Sequence, residues 1–290
     1  MANLKDIRIR INSVKSTRQV TSAMKMVSAA KLKKAQDNVD HVRPFVSKLV
    51  EISNFLGTSV DNIEETFGYA TPKRGKTLIL AIASNKGLAG AFNSTIVKEV
   101  ERMLKEEWAT EYQAGNIELV AVGKQLVKGL AARHIDIASE RNAVLDDLTK
   151  ENVYAVADEI MADFGRKYNK VLLVYNTFVN AAVQTLTTQQ LLPLSIAQPE
   201  GNTYLDFIVE PNKAEVLADL VPQVIQAKLL AAFMESAASE HGSRMTSMNK
   251  ATDNATELLG ELQLQYNKAR QSAITNELIE IVSGAEALNN

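Results

Sequence analysis

The chain has 290 residues, a mass of 31.8 kDa and 46% hydrophobic residues, enough to bury a sizeable core in one or two domains. Its formal net charge of -2 supplies no global positive field for nucleic acid, and no apolar run approaches the ~20 residues needed to span a bilayer. The lack of cysteine excludes a disulfide framework, a thiolate nucleophile and a cysteine zinc site, and fits a reducing compartment.

The opening MANLKDIRIRINSVKS is basic but has no apolar signal core, and no cleavage-like boundary follows, so it reads as mature structure. Leu4, Ile7, Ile11, Val14, Thr21, Ser28, Leu32, Ala35, Val39 and Val42 follow spacings of three and four or multiples of seven, interrupted by Arg18 and Lys25. This predicts a long amphipathic helix over residues 1–60, kinked by Pro44, with apolar spacing resuming through Phe45, Leu49, Ile52 and Leu56.

The period then changes. TLILAIA (77–83), IELVAV (117–122) and VLLVY (171–175) are short apolar runs separated by helical patterns, which predicts parallel strands with crossover helices. After Tyr175 the segments FVNAAVQTLTTQQLLPL and YLDFIVE read as strands without intervening helices, finishing the sheet with antiparallel neighbours. A Rossmann-like α/β domain over residues 74–210 follows.

Between the first run and the next helix lies SNKGLAGAFN (84–93), a strand–glycine–helix context of the kind that cradles phosphate. A dinucleotide fingerprint needs G-x-G-x-x-G, whereas only Gly87 and Gly90 are present. RGKT at 74–77 lacks the glycine five residues before Gly75 and precedes its strand. Both segments therefore read as structural turns, and no cofactor is expected. The three histidines, His41, His134 and His241, have no ligand spacing, and no catalytic constellation is evident.

From residue 213 to 290 the helical period returns. Leu217, Val224, Ala231, Ala238, Met245, Thr252, Leu259, Tyr266 and Ala273 form one seven-residue series; Leu220, Ala227, Met234, His241, Met248, Ala255, Leu262 and Ala269 form the other. A helix of about 65 residues spans roughly 100 Å, against a radius of gyration near ~19 Å for a compact chain of this size. It needs a partner of comparable length, and only the N-terminal helix qualifies. The expected architecture is a long antiparallel coiled coil of N- and C-terminal helices with the α/β domain inserted between them. The longer C-terminal helix would end unpaired, its apolar Ile274, Leu278, Ile279 and Val282 requiring a sleeve of other protein.

IRIRINSVKSTRQVTSAMKMVSAAKLKKAQ, SNKGLAGAFN and SRMTSMNKATDNATELLGELQLQYNKARQSAITNELIEIVSGAEAL together resemble, from end to end, the gamma subunit of F-type ATP synthases. The resemblance implies a non-catalytic rotor shaft coupling proton translocation to ATP synthesis or hydrolysis. Its implied partners are three alpha and three beta subunits, the epsilon subunit and the membrane c-ring. It also implies a peripheral position at the cytoplasmic face of a bacterial inner membrane. Met24 and Lys25 match the place where the family's shaft faces an acidic loop of beta. Arg244, Arg270, Gln271, Thr275, Glu277 and Glu280 match polar positions that contact the alpha/beta ring. Asn85 and Lys86 depart from the commoner Asp-Arg pair of the family's turn, and no contact is assigned to them. Without cysteine, the plastid redox pair is excluded. The alternative reading is a non-rotary coiled-coil adaptor with an α/β docking domain.

Overall fold

The computed structural model describes residues 4–195 and 208–289, apart from 59, 61, 62, 64, 65 and 71. Helix α1 runs Leu4–Gly57 and helix α6 runs Lys213–Asn289. Between them come β1 (Lys76–Ile82), α2 (Phe92–Arg102), α3 (Ala109–Gln113), β2 (Ile117–Val122), α4 (Lys124–Ala131), β3 (Ser139–Glu140), α5 (Lys150–Asp163), β4 (Tyr168–Phe178) and β5 (Gln184–Leu192). The chain divides into two compact units, Met1–Ser28 with Met245–Asn290, and Ala29–Arg244.

The larger unit is organised by a five-stranded sheet in the order β3-β2-β1-β4-β5. β1 pairs in parallel with both β2 and β4, β2 pairs in parallel with β3, and β4 pairs antiparallel with β5. The three apolar runs are continuous because both faces of the central strands are covered. Leu78, Leu80 and Ile82 of β1 join Val171 and Leu173 of β4 in a core closed by α5 and α6, with Leu49 and Ile52 of α1 packed against it. Ile79, Ala81, Leu119, Ala121, Leu172 and Val174 face the opposite core, closed by α2 and α4.

The antiparallel finish of the sheet agrees with the reading of FVNAAVQTLTTQQLLPL. Of the strand expected at YLDFIVE, residues 204–207 lie outside the described residues, and 208–210 are not in a strand. By length and composition alone, α6 holds an 18-residue stretch of mean hydropathy 1.5, apolar enough to cross a membrane, which corrects the expectation from the sequence. Half of that stretch is buried inside the protein, and Leu217, Val221, Ile225, Leu229 and Phe233 of the same helix belong to the sheet core. The core, not a bilayer, explains their apolarity.

In the smaller unit α1 and α6 form an antiparallel pair. Arg8 donates to the Tyr266 hydroxyl and lies over its ring. The hydroxyls of Thr21 and Thr252 meet at 2.9 Å, and Lys25 Nζ donates to Asn249 Oδ1. Each step forward along α1 is matched by a nearly equal step back along α6, as an antiparallel register requires. Met248, Ala255, Leu259 and Leu262 are buried in this seam, together with Ile7 and Ser28. The heptad reading holds here, whereas α6 between Val221 and Arg244 is buried on more than one stripe because it also serves the sheet. Along α1 the expected seam fails at Phe45, which is 54% exposed; Val46 takes the half-buried position one residue later.

Gly123, between β2 and α4, has φ +113°, and a Cβ there would lie 2.8 Å from the backbone nitrogen of Ser84. Glycine alone therefore lets the carboxyl ends of β1 and β2 approach so closely. Gly123→Ala is expected to destabilise the protein by about 2 kcal/mol or more, from backbone strain and overpacking together. Chemical denaturation of the full chain checks this, and a shift below about 0.5 kcal/mol would show that the turn relaxes freely.

Candidate functional site

In an open parallel sheet, ligands bind beyond the carboxyl ends of the strands, at the point where the strand order reverses. Here that point is the crevice between β1 and β4, and SNKGLAGAFN forms its lip. The turn is held from within. Ser84 is fully buried; its hydroxyl donates to the Lys86 carbonyl at 2.7 Å, and its N–H donates to Asn93 Oδ1 at 3.1 Å. Leu88 and Gly90 take positive φ values of 61° and 55° to complete the reversal.

Asn85, to which the sequence assigned no contact, joins three segments. Its Nδ2 donates to the Asn142 carbonyl at 3.0 Å and Asp146 Oδ1 at 2.8 Å, while its Oδ1 accepts from the N–H of Lys124 at 3.1 Å. The first N–H of α4 is thus occupied, and the next, that of Gln125, donates to the Ser84 carbonyl.

Helix α6 fills the crevice itself. Ser236 Oγ donates to the Ile82 carbonyl at the end of β1, and Ser239 Oγ donates to the Asn176 carbonyl near the end of β4. Ser243 Oγ donates to the Ala89 carbonyl, and Arg244 Nη2 lies 3.0 Å from the Lys86 carbonyl and 3.3 Å from that of Gly87. Arg244 is only 7% exposed and also pairs with Glu240. Burial pushes the Glu240 carboxyl up, with Arg244 opposing the shift. Beside them, burial, reinforced by the positive charges of Arg244, Lys31 and Lys86, lowers the His241 imidazole to about 4. Its buried Nδ1 has no hydrogen-bond partner among the described residues. No cluster of potential metal ligands occurs among the described residues either.

The other residues singled out in the sequence fall into two groups. Met24 and Lys25 are half-buried on α1, Lys25 engaged with Asn249. Arg270, Gln271, Thr275, Glu277 and Glu280 are exposed on α6, where every side chain from 270 to 285 is exposed. Ile274, Leu278, Ile279, Ile281 and Val282 in the same stretch are 49–62% exposed. Gln271, Thr275, Leu278 and Val282 share one face; Arg270, Ile274, Glu277 and Ile281 share the neighbouring one. Polar and apolar groups alternate around this segment, so no side of it is suited to water alone.

The family model for ATP synthase matches residues 3–288. The ATP synthase gamma chain of Christiangramia forsetii is 49% identical over 291 residues, spanning 100% of both chains. The chain belongs to the ATP synthase gamma-chain family. The gamma chain of Flavobacterium johnsoniae is 48% identical, again over 100% of both chains. Among solved structures, a chain of the central stalk and c-ring of the Tetrahymena thermophila mitochondrial ATP synthase is 25% identical with a TM-score of 0.57, covering 80% of this chain and 99% of that one. A chain from the rotor of the Euglena gracilis enzyme is 18% identical with a TM-score of 0.66, covering 93% and 98%, and is similar in fold. Within this gamma-chain family member, the crevice that serves ligands in other sheets of this order is occupied by the chain's own C-terminal helix.

The His241 imidazole has a folded-state pKa of about 4 against 6.5 when unperturbed. Between those values the unfolded chain binds more protons than the folded one, so stability falls as pH drops from 6.5 toward 4. The contribution is on the order of 2 kcal/mol across the window. Denaturation midpoints of the wild type and His241→Gln should diverge at acid pH, the wild type losing more; parallel pH profiles would remove His241 from the acid sensitivity.

Proposed function

We propose that this chain is the central-stalk rotor shaft of an F-type ATP synthase and couples ion translocation to ATP synthesis or hydrolysis at an alpha/beta ring. The observation that carries the reading is its identity of nearly half with a gamma chain over the full length of both. The exposed, mixed polar and apolar stretch from Arg270 to Val282 supports it, because such a surface calls for an enclosing protein sleeve.

In this reading the chain has three working parts, residues 1–60, 74–210 and 213–290. It works as a non-catalytic subunit, a reading supported by the seating of α6 in the crevice at the strand ends, and ATP chemistry belongs to the ring. Three alpha and three beta subunits surround the coiled coil, and the α/β domain rests on epsilon and the c-ring. The assembly lies at the cytoplasmic face of a bacterial inner membrane, and this chain reaches the membrane through its partners. Turning of the asymmetric shaft drives the beta subunits through their conformational cycle.

Arg270, Gln271, Thr275, Glu277 and Glu280 act as the coupling contacts, forming and breaking charge-assisted hydrogen bonds with the ring as the shaft turns. Met24 and Lys25 face an acidic loop of beta, and Lys25 exchanges its Asn249 partner for a carboxylate there. Arg244 keeps an inward role, since its guanidinium is bound to Glu240 and the turn carbonyls.

Alpha and beta coexpressed with this chain should yield a complex containing one copy per three alpha/beta pairs, with ATPase turnover at least tenfold above that without it. Failure to co-purify, with turnover unchanged, would favour the adaptor reading. Truncation before Glu277 should impair assembly or lower proton-coupled ATP synthesis severalfold. Unchanged synthesis in membrane vesicles would remove the terminal residues from coupling.

A further inference from the structure

A hydroxyl within a helix ordinarily returns its proton to the carbonyl four residues earlier, as Thr17 does to Ser13 and Thr256 to Thr252 here. Three serines of α6 donate elsewhere. Ser236, Ser239 and Ser243, at helical spacings of three and four, lie on one face and donate to the carbonyls of Ile82, Asn176 and Ala89, at 3.3, 2.9 and 2.7 Å. Ser236 and Ser239 are buried, and the acceptors belong to the ends of the two central strands and to the turn that follows β1. From the other side, Arg43 of α1 bridges Glu235 of α6 and the Phe178 carbonyl that ends β4.

We infer that Ser236, Ser239 and Ser243 form a torque-bearing clasp, which locks α6 rotationally to the sheet. The inference rests on the rotor reading and assigns positioning residues to it. The physical basis is directionality. The apolar contacts of Phe233 and Leu229 with the sheet hold the helix close but are nearly indifferent to a small rotation about its axis. A hydrogen bond weakens steeply once its angle or length departs from the optimum. Three such bonds on one face, two to carbonyls in neighbouring parallel strands and one to the turn that follows β1, resist rotation at separate points along the axis. Donating outward removes the hydroxyls from competition with the helix's own backbone, so α6 stays regular where load enters it.

This chain has no native cysteine, so one introduced cysteine, Glu151→Cys on α5, labelled before assembly with the partner subunits, can carry a bead on the α/β domain of the complex. With the ring fixed and ATP supplied, the angular spread of the bead during pauses reports torsional stiffness. The triple variant Ser236→Ala, Ser239→Ala, Ser243→Ala should hydrolyse ATP at the wild-type rate but widen that spread about twofold. The corresponding serine-to-threonine set, which keeps the hydroxyls, should restore it. A spread equal to wild type in the alanine variant overturns the clasp. Should the triple variant fail to assemble, Ser239→Ala and Ser239→Thr decide it in the same way: widening by alanine alone supports the clasp, and equal spreads overturn it. Absence of rotation with the unmodified serines would count against the rotor reading itself.

Discussion

The larger unit depends on the seating of α6 across the carboxyl ends of β1 and β4. A parallel sheet needs both faces covered, and its strand ends leave carbonyl groups that require donors. Helix α6 meets both demands at once. Its apolar residues Val221, Ile225, Leu229 and Phe233 complete one core, while Ser236, Ser239 and Ser243 satisfy carbonyls at the sheet's ligand-binding edge. The ligand crevice of this sheet order is therefore filled by the chain's own C-terminal helix. Gly242, in the same stretch, permits close approach, since a Cβ there would lie 3.2 Å from the Ala181 carbonyl beyond β4.

A second constraint governs the coiled coil. Its seam contains threonine, serine, alanine and methionine among fewer large aliphatic residues, so area burial alone defines register weakly. The polar pairs supply what the apolar contacts lack. Arg8 with Tyr266, Thr21 with Thr252, and Lys25 with Asn249 each require a specific partner opposite, and sliding α1 by one turn would break all three together. Each contributes about 1 kcal/mol at most in such partly exposed positions, yet jointly they discriminate against shifted registers.

Much of this was legible from periodicity. The positions Leu4, Ile7, Ile11, Val14, Thr21, Ser28, Leu32, Ala35, Val39 and Val42 are all buried or half-buried, because a two-helix seam imposes one local rule along its length. The three parallel strands were legible because each is sheltered on both faces. Phe45 misled the reading: hydrophobicity marked it as a seam residue, but helical phase after Pro44 placed Val46 inward instead. Strand β3, only two residues long, carries no usable period. Asn85 was opaque for a different reason. Its partners Lys124, Asn142 and Asp146 lie 39, 57 and 61 residues away, so nothing in its neighbourhood announces them. Arg244 illustrates what a motif leaves out, since its bonds to the turn carbonyls, 157 and 158 residues away, have no local signal.

The distribution of polar groups along α6 follows the mechanical demands of the proposed shaft. Between Glu235 and Arg244, where slippage against the sheet would waste rotation, donors are buried or half-buried and committed to fixed carbonyls. In the paired segment, polar contacts occur one by one and only set register. From Arg270 to Val282 the polar side chains are exposed and alternate with exposed isoleucine, leucine and valine. A surface bearing many strong, fixed bonds to a ring would hold one angular position against rotation. One bearing small apolar patches with a few interspersed Arg, Gln, Thr and Glu side chains presents shallow minima, each left at a cost of only a few hydrogen bonds. Rigid attachment at one end of the helix and exchangeable contacts at the other are the two conditions under which rotation of the shaft can be passed on as work.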